Sequence, residues 1–166
     1  MDISIRPVLP AQFEDLGEIT AQAYLGDGLL DFGADDPYLE QLRAVERRAA
    51  EAEVLVALDG DRRLLGGVTY VAPGGPWADI AGEDEAEFRM LAVSPHARGR
   101  GAGEALVRAC IDRARAAGGL CGIVLSTQPS MLGAHRIYRR LGFVRTPERD
   151  WCPLPDLPLL TFRLEL

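Results

Sequence analysis

The 166-residue chain contains neither lysine nor asparagine. All 18 of its basic residues are therefore arginine, which excludes a phosphate loop of the Gly-Lys-Ser/Thr type, where a lysine must reach the β- and γ-phosphates. Both missing residues have A-rich codons, so a GC-rich bacterial genome accounts for the two absences together. Histidine and cysteine are scarce. His96 and His135 are the two histidines, and Cys110, Cys121 and Cys152 form an odd set without Cys-x-x-Cys spacing, so free thiols and no structural metal are expected. No apolar run reaches membrane length, and the N-terminus, with Asp2, lacks a signal-peptide layout. The expectation is a soluble, cytoplasmic protein with no membrane partner. A net charge of −7 leaves no basic face for nucleic acid, since phosphate neutralisation needs one. Basic small-molecule partners suit that charge better. With 48% hydrophobic residues, residues 1–166 read as one domain with a real core.

What is present centres on residues 87–104. Residues 86–93 are a short, mostly apolar run that reads as a strand, with Glu87 and Arg89 at alternate positions and so on one face with Leu91 and Val93. Ser94-Pro95 ends it, because proline cannot donate to a ladder. Leu106, Val107, Cys110, Ile111 and Ala114 then fall at helical spacing. The turn between is Arg98-Gly99-Arg100-Gly101-Ala102-Gly103. The first amides of a helix lack internal partners and carry the positive end of its dipole, so such a turn attracts phosphate. Glycines permit close backbone approach and positive φ, and Arg98 and Arg100 add charge. On the turn alone, anion binding and an ordinary solvated turn stand level. A dinucleotide fingerprint is excluded, since Gly99, Gly101 and Gly103 have the wrong spacing and residues 122–126 end without an acid.

The pattern Arg-x-x-Gly-x-Gly over 98–103, after Leu-Ala-Val-Ser-Pro, resembles the GCN5-related N-acetyltransferases, which move an acyl group from acyl-coenzyme A to an acceptor, usually an amine. The resemblance runs from about Ile3 to the C-terminus and is sharpest over 87–115 and 134–143. It implies that the backbone of Arg98, Gly99, Arg100, Gly101, Ala102 and Gly103 holds the coenzyme A pyrophosphate. It implies also that the strand through Leu91, Ala92 and Val93 pairs with the pantetheine arm, and that acetyl-CoA is the cofactor. A second motif supports it. Ala134-His-Arg-Ile-Tyr138-Arg-Arg-Leu-Gly-Phe143 matches Ala-x-x-(Leu/Ile)-Tyr-x-x-Leu-Gly-Phe at every defined position. By spacing alone Tyr138 is a core aromatic; the resemblance makes it the acid that protonates the departing thiolate. Where many members have asparagine seven residues before that tyrosine, this chain has Met131, so a polar contact is lost for which Ser130 or Gln128 are substitutes. A further group must deprotonate the amine, whose pKa is roughly 10 in water. Glu87 is the candidate base, because some relatives carry a catalytic glutamate on this strand and burial would raise its pKa toward neutrality. A structural ion pair of Glu87 with Arg89 stands level with that reading.

In chain order, residues 3–8 read as a first strand and Pro10 to Tyr24 as a helix. Pro37 opens a second helix to about Glu51, with Leu39, Leu42, Val45 and Ala49 inward. In the family this helical pair covers the acceptor side. Residues 54–58 and 64–71 read as a hairpin turning at Asp59-Gly60. Trp77 reads as a cap on the core in preference to an acceptor contact. Glu83, Asp84 and Glu85, with Asp27, Asp31, Asp35 and Asp36, read as solvated loop charges in preference to an amine-attracting cluster. Residues 120–126 form a strand parallel to 86–93, joined by a right-handed crossover, and the family splays these two strands apart. Residues 131–141 form a helix capped by Gly142. The proline-rich tail from Pro147 reads as a rigid loop leading to a last strand at 159–164, and Trp151 there either contacts the acceptor or anchors the loop.

The fold class expected is α/β: a mixed, mostly antiparallel sheet with a splayed parallel pair and helices on both faces. The function expected is acetyl transfer from acetyl-CoA to a primary amine, small molecule in preference to protein, by direct attack. The alternative is a non-catalytic acyl-CoA sensor. The sequence is compatible with a homodimer. Without lysine, the chain itself offers only its N-terminal amine for acylation.

Overall fold

The hairpin over residues 53–71 is set by a short acidic turn. Glu53–Leu58 (β2) and Leu64–Val71 (β3) are joined where the Asp59 carboxylate accepts the amides of Asp61 and Arg63 at 2.8 and 2.9 Å. This side-chain-to-backbone bonding is what makes aspartate a turn former. A computed structural model describes residues 2–166. Around the hairpin the chain forms Ser4–Pro7 (β1), Phe13–Gly26 (α1), Tyr38–Arg43 (α2), Val45–Glu51 (α3), Glu85–Val93 (β4), Ala102–Ala117 (α4), Gly122–Thr127 (β5), Leu132–Arg140 (α5), Val144–Arg145 (β6), Trp151–Leu154 (β7) and Leu157–Glu165 (β8). The strand order is β1-β2-β3-β4-β5-β8-β6, with β7 paired to β8 off that path. Among the described residues only β4 and β5 pair in parallel. Among the described residues no helix is long and apolar enough to cross a membrane.

β2 is apolar at nearly every position because both faces of the sheet are covered. Leu55 and Ala57 pack into the cluster of Leu106, Val107 and Cys110 from α4, whereas Val54, Val56 and Leu58 pack with Leu16 of α1 and Val45 of α3. Successive strand side chains point to opposite faces, so one strand serves two cores. Gly67 lets α1 come close: a Cβ there would lie 2.6 Å from Leu16 Cδ1.

The one helix expected over 37–51 is instead two, broken at Ala44, whose ψ of 54° leaves helical geometry. Arg48 accounts for the break. It is 1% exposed, and its Nη1 donates to the carbonyls of Gln41 and Leu42 while Nε donates to the Thr69 hydroxyl at 3.0 Å. Carbonyls at a helix end lack internal partners, and a buried cation needs acceptors. Each requirement meets the other. Burial lowers the Arg48 pKa to about 10, so it stays charged at neutral pH.

Two departures shape the centre of the sheet. The pairing of β4 with β3 slips between Gly67 and Thr69, and Met90 sits at φ 56°. Left-handed geometry in a non-glycine residue costs on the order of 1 kcal/mol. This bulge switches the side to which the strand presents its residues. Met90 packs with Leu39 and Leu42 on the α1–α2 side, while Leu91 and Val93 pack on the α4 side. Glu87 and Arg89 therefore do not share a face with Leu91 and Val93, as strict alternation predicts. Second, β4 and β5 pair only from Glu85–Gly122 to Glu87–Val124 and then part, as the resemblance implied. Phe88 to Val93 has no ladder partner on the β5 side.

The tail also differs from expectation. The proline-rich segment is a strand, with β7 returning along β8 through Trp151–Leu159 and Leu154–Leu157 pairs. Because β7 is an edge strand, Pro153 costs it no required ladder bond.

Candidate active site

The parting of β4 from β5 opens the sheet, and a cavity lies on each side of the opening. One, of about 880 Å³, is lined by Leu91, Val93, the 98–103 turn and the start of α5. The other, of about 420 Å³, is lined by Tyr24, Tyr38, Asp79, Arg89, Tyr138 and the β7–β8 hairpin, among others. Leu29, Leu91 and Met131 border both. A group reaching from the first cavity to the second must pass these three side chains.

The 98–103 turn has the features an anion cradle needs. Gly99 and Gly101 sit at φ 77° and 87°, which only glycine adopts at little cost, and α4 starts at Ala102 with no side-chain cap on its first amides. Gly103 serves packing instead, since a Cβ there would lie 3.3 Å from Ile137 Cδ1, and its absence lets α4 and α5 close together. The two arginines diverge. Arg98 borders the cavity and bonds both oxygens of Asp27 at 3.0 and 2.9 Å. Arg100 lies toward the β2–β3 turn, 4.0 Å from Asp59. Glu104, in the first turn of α4, is compensated by Arg140 at 2.6 Å and Arg108 at 3.4 Å. Leu91 and Val93 border the cavity, whereas Ala92 pairs with Gly67 and is turned away.

Tyr138 stands at the second cavity. It is 3% exposed and packed at ring-centroid distances of 5.8, 5.9 and 5.6 Å from Phe88, Phe143 and Phe162. Its hydroxyl has no hydrogen bond to any described residue. Burial raises its pKa, so the phenol carries its proton at neutral pH. Beside it, His135 Nε2 lies 3.2 Å from the Thr127 hydroxyl and 3.1 Å from the Gln128 carbonyl oxygen, and burial lowers its pKa. The imidazole is buried and borders neither cavity. Met131 takes the Thr127 hydroxyl on its sulfur at 3.5 Å. Gln128 donates to the Leu29 carbonyl at 2.8 Å, and Ser130 borders the larger cavity.

Glu87 does not stand where a base must. Its side chain is fully buried and borders neither cavity. One oxygen accepts the amides of Asp79, Ile80 and Ala81, each at 3.0 Å, and the other is buried without a hydrogen-bond partner. Burial raises its pKa despite those amides. The ion pair with Arg89 considered as its alternative is also not formed. Arg89 Nε faces Asp79 at 3.2 Å, while its other nitrogens donate to the Trp77 carbonyl at 2.9 Å and the Tyr38 hydroxyl at 3.2 Å.

Several residues escaped sequence reasoning. Asp79 carried no signal among 25 acidic residues. Glu85 is not a solvated loop charge: it is buried, bonded to Arg149 and Arg163 at 2.8 Å each, and its pKa is held down to about 2, first by Arg149. Asp36 accepts the Phe32 and Tyr38 amides. Trp77 is 8% exposed within the core, as expected. Trp151 is both anchored, through Nε1 to Ser126 Oγ at 2.9 Å, and part of the cavity wall.

The sequence profile of the Acetyltransferase (GNAT) family matches residues 14–143. The chain belongs to this family. Mycothiol acetyltransferase of Cellulomonas flavigena is 31% identical over 87% of the chain, which spans 41% of that relative's length. An acetyltransferase structure from Corynebacterium glutamicum superposes with a TM-score of 0.75 at 25% identity, covering 98% of this chain and 96% of that one. A putative acetyltransferase of Salmonella typhimurium, solved with acetyl-CoA, superposes at 0.71 with 22% identity, covering 100% and 95%.

Proposed function

We propose that the protein transfers the acetyl group of acetyl-CoA to the primary amine of a small molecule by direct attack. The observation that carries this is the meeting of two cavities at Leu29, Leu91 and Met131, with an unpartnered, protonated phenol on the smaller one.

On this reading the uncapped amides at the start of α4 and the positive-φ glycines hold the diphosphate, and the unladdered edge of β4 at Leu91 and Val93 receives the amide-rich arm. Acetyl-CoA supplies an activated acyl carbon. The deprotonated amine nitrogen bonds to that carbon as the carbon–sulfur bond breaks, the thiolate takes its proton from Tyr138, and the phenolate regains one from the newly acylated nitrogen. The ammonium loses a proton to solvent at the carboxylate wall of the smaller cavity. Glu87 serves this step by position: its three amide bonds fix the loop that carries Asp79. A small acceptor is supported by the size of that cavity, about 420 Å³, one wall of which is the β7–β8 hairpin. No covalent enzyme intermediate is required, consistent with Cys110 being buried with a raised pKa.

The test is release of free thiol from acetyl-CoA across an amine panel, with donor affinity measured by calorimetry. Turnover with at least one amine is the expected result; tight donor binding without any acceptor would favour a sensor.

A further inference from the structure

The smaller cavity carries a selective distribution of charge. Its carbon wall comes from residues such as Leu29, Leu30, Trp151, Leu154 and Leu157, and its ionic groups are Asp31, Asp36, Asp79 and Arg89. Arg89 is already engaged. Its charge faces Asp79, and all three of its nitrogens have protein partners. An acceptor carboxylate or phosphate would find no uncompensated cation here. Asp36 is engaged too, with one oxygen on each of two backbone amides.

Asp79 differs from both. Its side chain, 29% exposed, accepts no hydrogen bond from any described residue and is met only by Arg89 Nε at 3.2 Å. Its backbone is pinned from behind by the buried Glu87. A carboxylate partly removed from water without hydrogen-bond donors carries a cost, and a primary ammonium supplies three donors. A second observation points into the same space: the Tyr138 hydroxyl, on a side chain 3% exposed, is unpartnered and borders this cavity. Burial raises the Asp79 pKa against the pull of Arg89, as expected of a group awaiting a counter-charge.

Resting on the transferase reading above, we infer that the acceptor is a monoamine with an apolar, aryl or alkyl body and no carboxylate or phosphate, its ammonium seated on Asp79. Exposed Asp31 adds attraction at the rim. A cavity of about 420 Å³ is of the size that takes a small ligand.

The experiment compares 2-phenylethylamine with phenylalanine, which adds a carboxylate to the same body, and with spermidine, a hydrophilic polyamine. The expected result is a kcat/KM for 2-phenylethylamine about tenfold or more above either. Asp79→Asn should lower kcat/KM for that amine about tenfold or more without changing acetyl-CoA affinity. A measurement on the unaltered protein avoids any dependence on that variant: in the complex with coenzyme A, 2-phenylethylamine should quench tryptophan emission at about tenfold lower concentration than 2-phenylethanol, its uncharged counterpart. Phenylalanine or spermidine as the better substrate, or an alcohol that binds as well as the amine, overturns the inference. Acetyl-CoA binding by calorimetry separates the two levels. If the donor binds and other amines turn over, only the acceptor class falls; if no donor binds, the transferase reading falls with it.

Discussion

The two cavities meet at three side chains yet are built in opposite ways. The larger is lined mainly by two nearly continuous stretches, 91–104 and 130–140, with Asp27 and Leu29 beside them. Its chemistry lies in uncapped amides, positive-φ glycines and a strand edge without a partner. The smaller is made of side chains from separate segments, including the α1–α2 connection, the loop before β4, β5, α5 and the terminal hairpin. Main-chain groups are the same in every residue, so the larger cavity is a fixed fitting for a fixed ligand. Side chains carry the individuality, so on the proposed reading the smaller one sets the choice of acceptor.

That contrast can be broken most decisively at Tyr138. Tyr138→Phe removes one oxygen at the junction, and turnover should fall by about 100-fold or more, the ordinary loss for a general acid, with acetyl-CoA affinity unchanged by calorimetry. The joint between the halves comes next. Glu85 ties the start of β4 to Arg149 and to Arg163 of β8, with a pKa held down to about 2 against roughly 4.5 unfolded. A lowered carboxylate contributes stability above its unfolded pKa and loses it as pH falls through the folded value. Glu85→Gln should therefore cost roughly 2–3 kcal/mol at pH 7, with the difference from wild type closing between about pH 4.5 and pH 2, read by urea unfolding.

A smaller effect tests the backbone fitting alone. Gly101 sits at φ 87°, where a side chain costs about 1–2 kcal/mol. Gly101→Ala should weaken acetyl-CoA binding by about tenfold and leave Trp151 emission unchanged. The smallest effect sharpens the role of Glu87. An amide oxygen still accepts the three backbone bonds, so Glu87→Gln should keep kcat within a few-fold, whereas removal of a true base would cost about 100-fold. Its raised pKa also sets a sign. The group stabilises fully below its unfolded pKa and loses that contribution as pH rises through its folded pKa, so Glu87→Gln should equal or exceed wild-type stability at pH 8.

The same contrast explains what was legible in the sequence. Glycines at 99 and 101 and the Ala134–Phe143 motif are local patterns, so the turn, the α4 start and the place of Tyr138 on α5 followed from short stretches. The mixed sheet and its one parallel pair followed from the crossover between two apolar runs. The bulge at Met90 was hidden because left-handed geometry there is imposed by the sheet and not by a glycine. It reversed the face of Leu91 and Val93 relative to Glu87. Asp79 was invisible because its importance comes from Glu87 behind it and Arg89 beside it, contacts that no spacing encodes. Arg48 and Glu85 were hidden for a related reason, since a buried charge reads as a surface charge until its partners are placed. The proline-rich tail was misread because prolines argue against a strand only where a ladder bond is needed.

A structure of the protein with coenzyme A bound tests the central claim most directly. The account predicts the diphosphate against the amides of 98–103, the arm along Leu91 and Val93, and the sulfur at the junction of Leu29, Leu91 and Met131, facing the Tyr138 hydroxyl. A sulfur separated from that hydroxyl by the cavity wall, or a diphosphate held elsewhere, would contradict it.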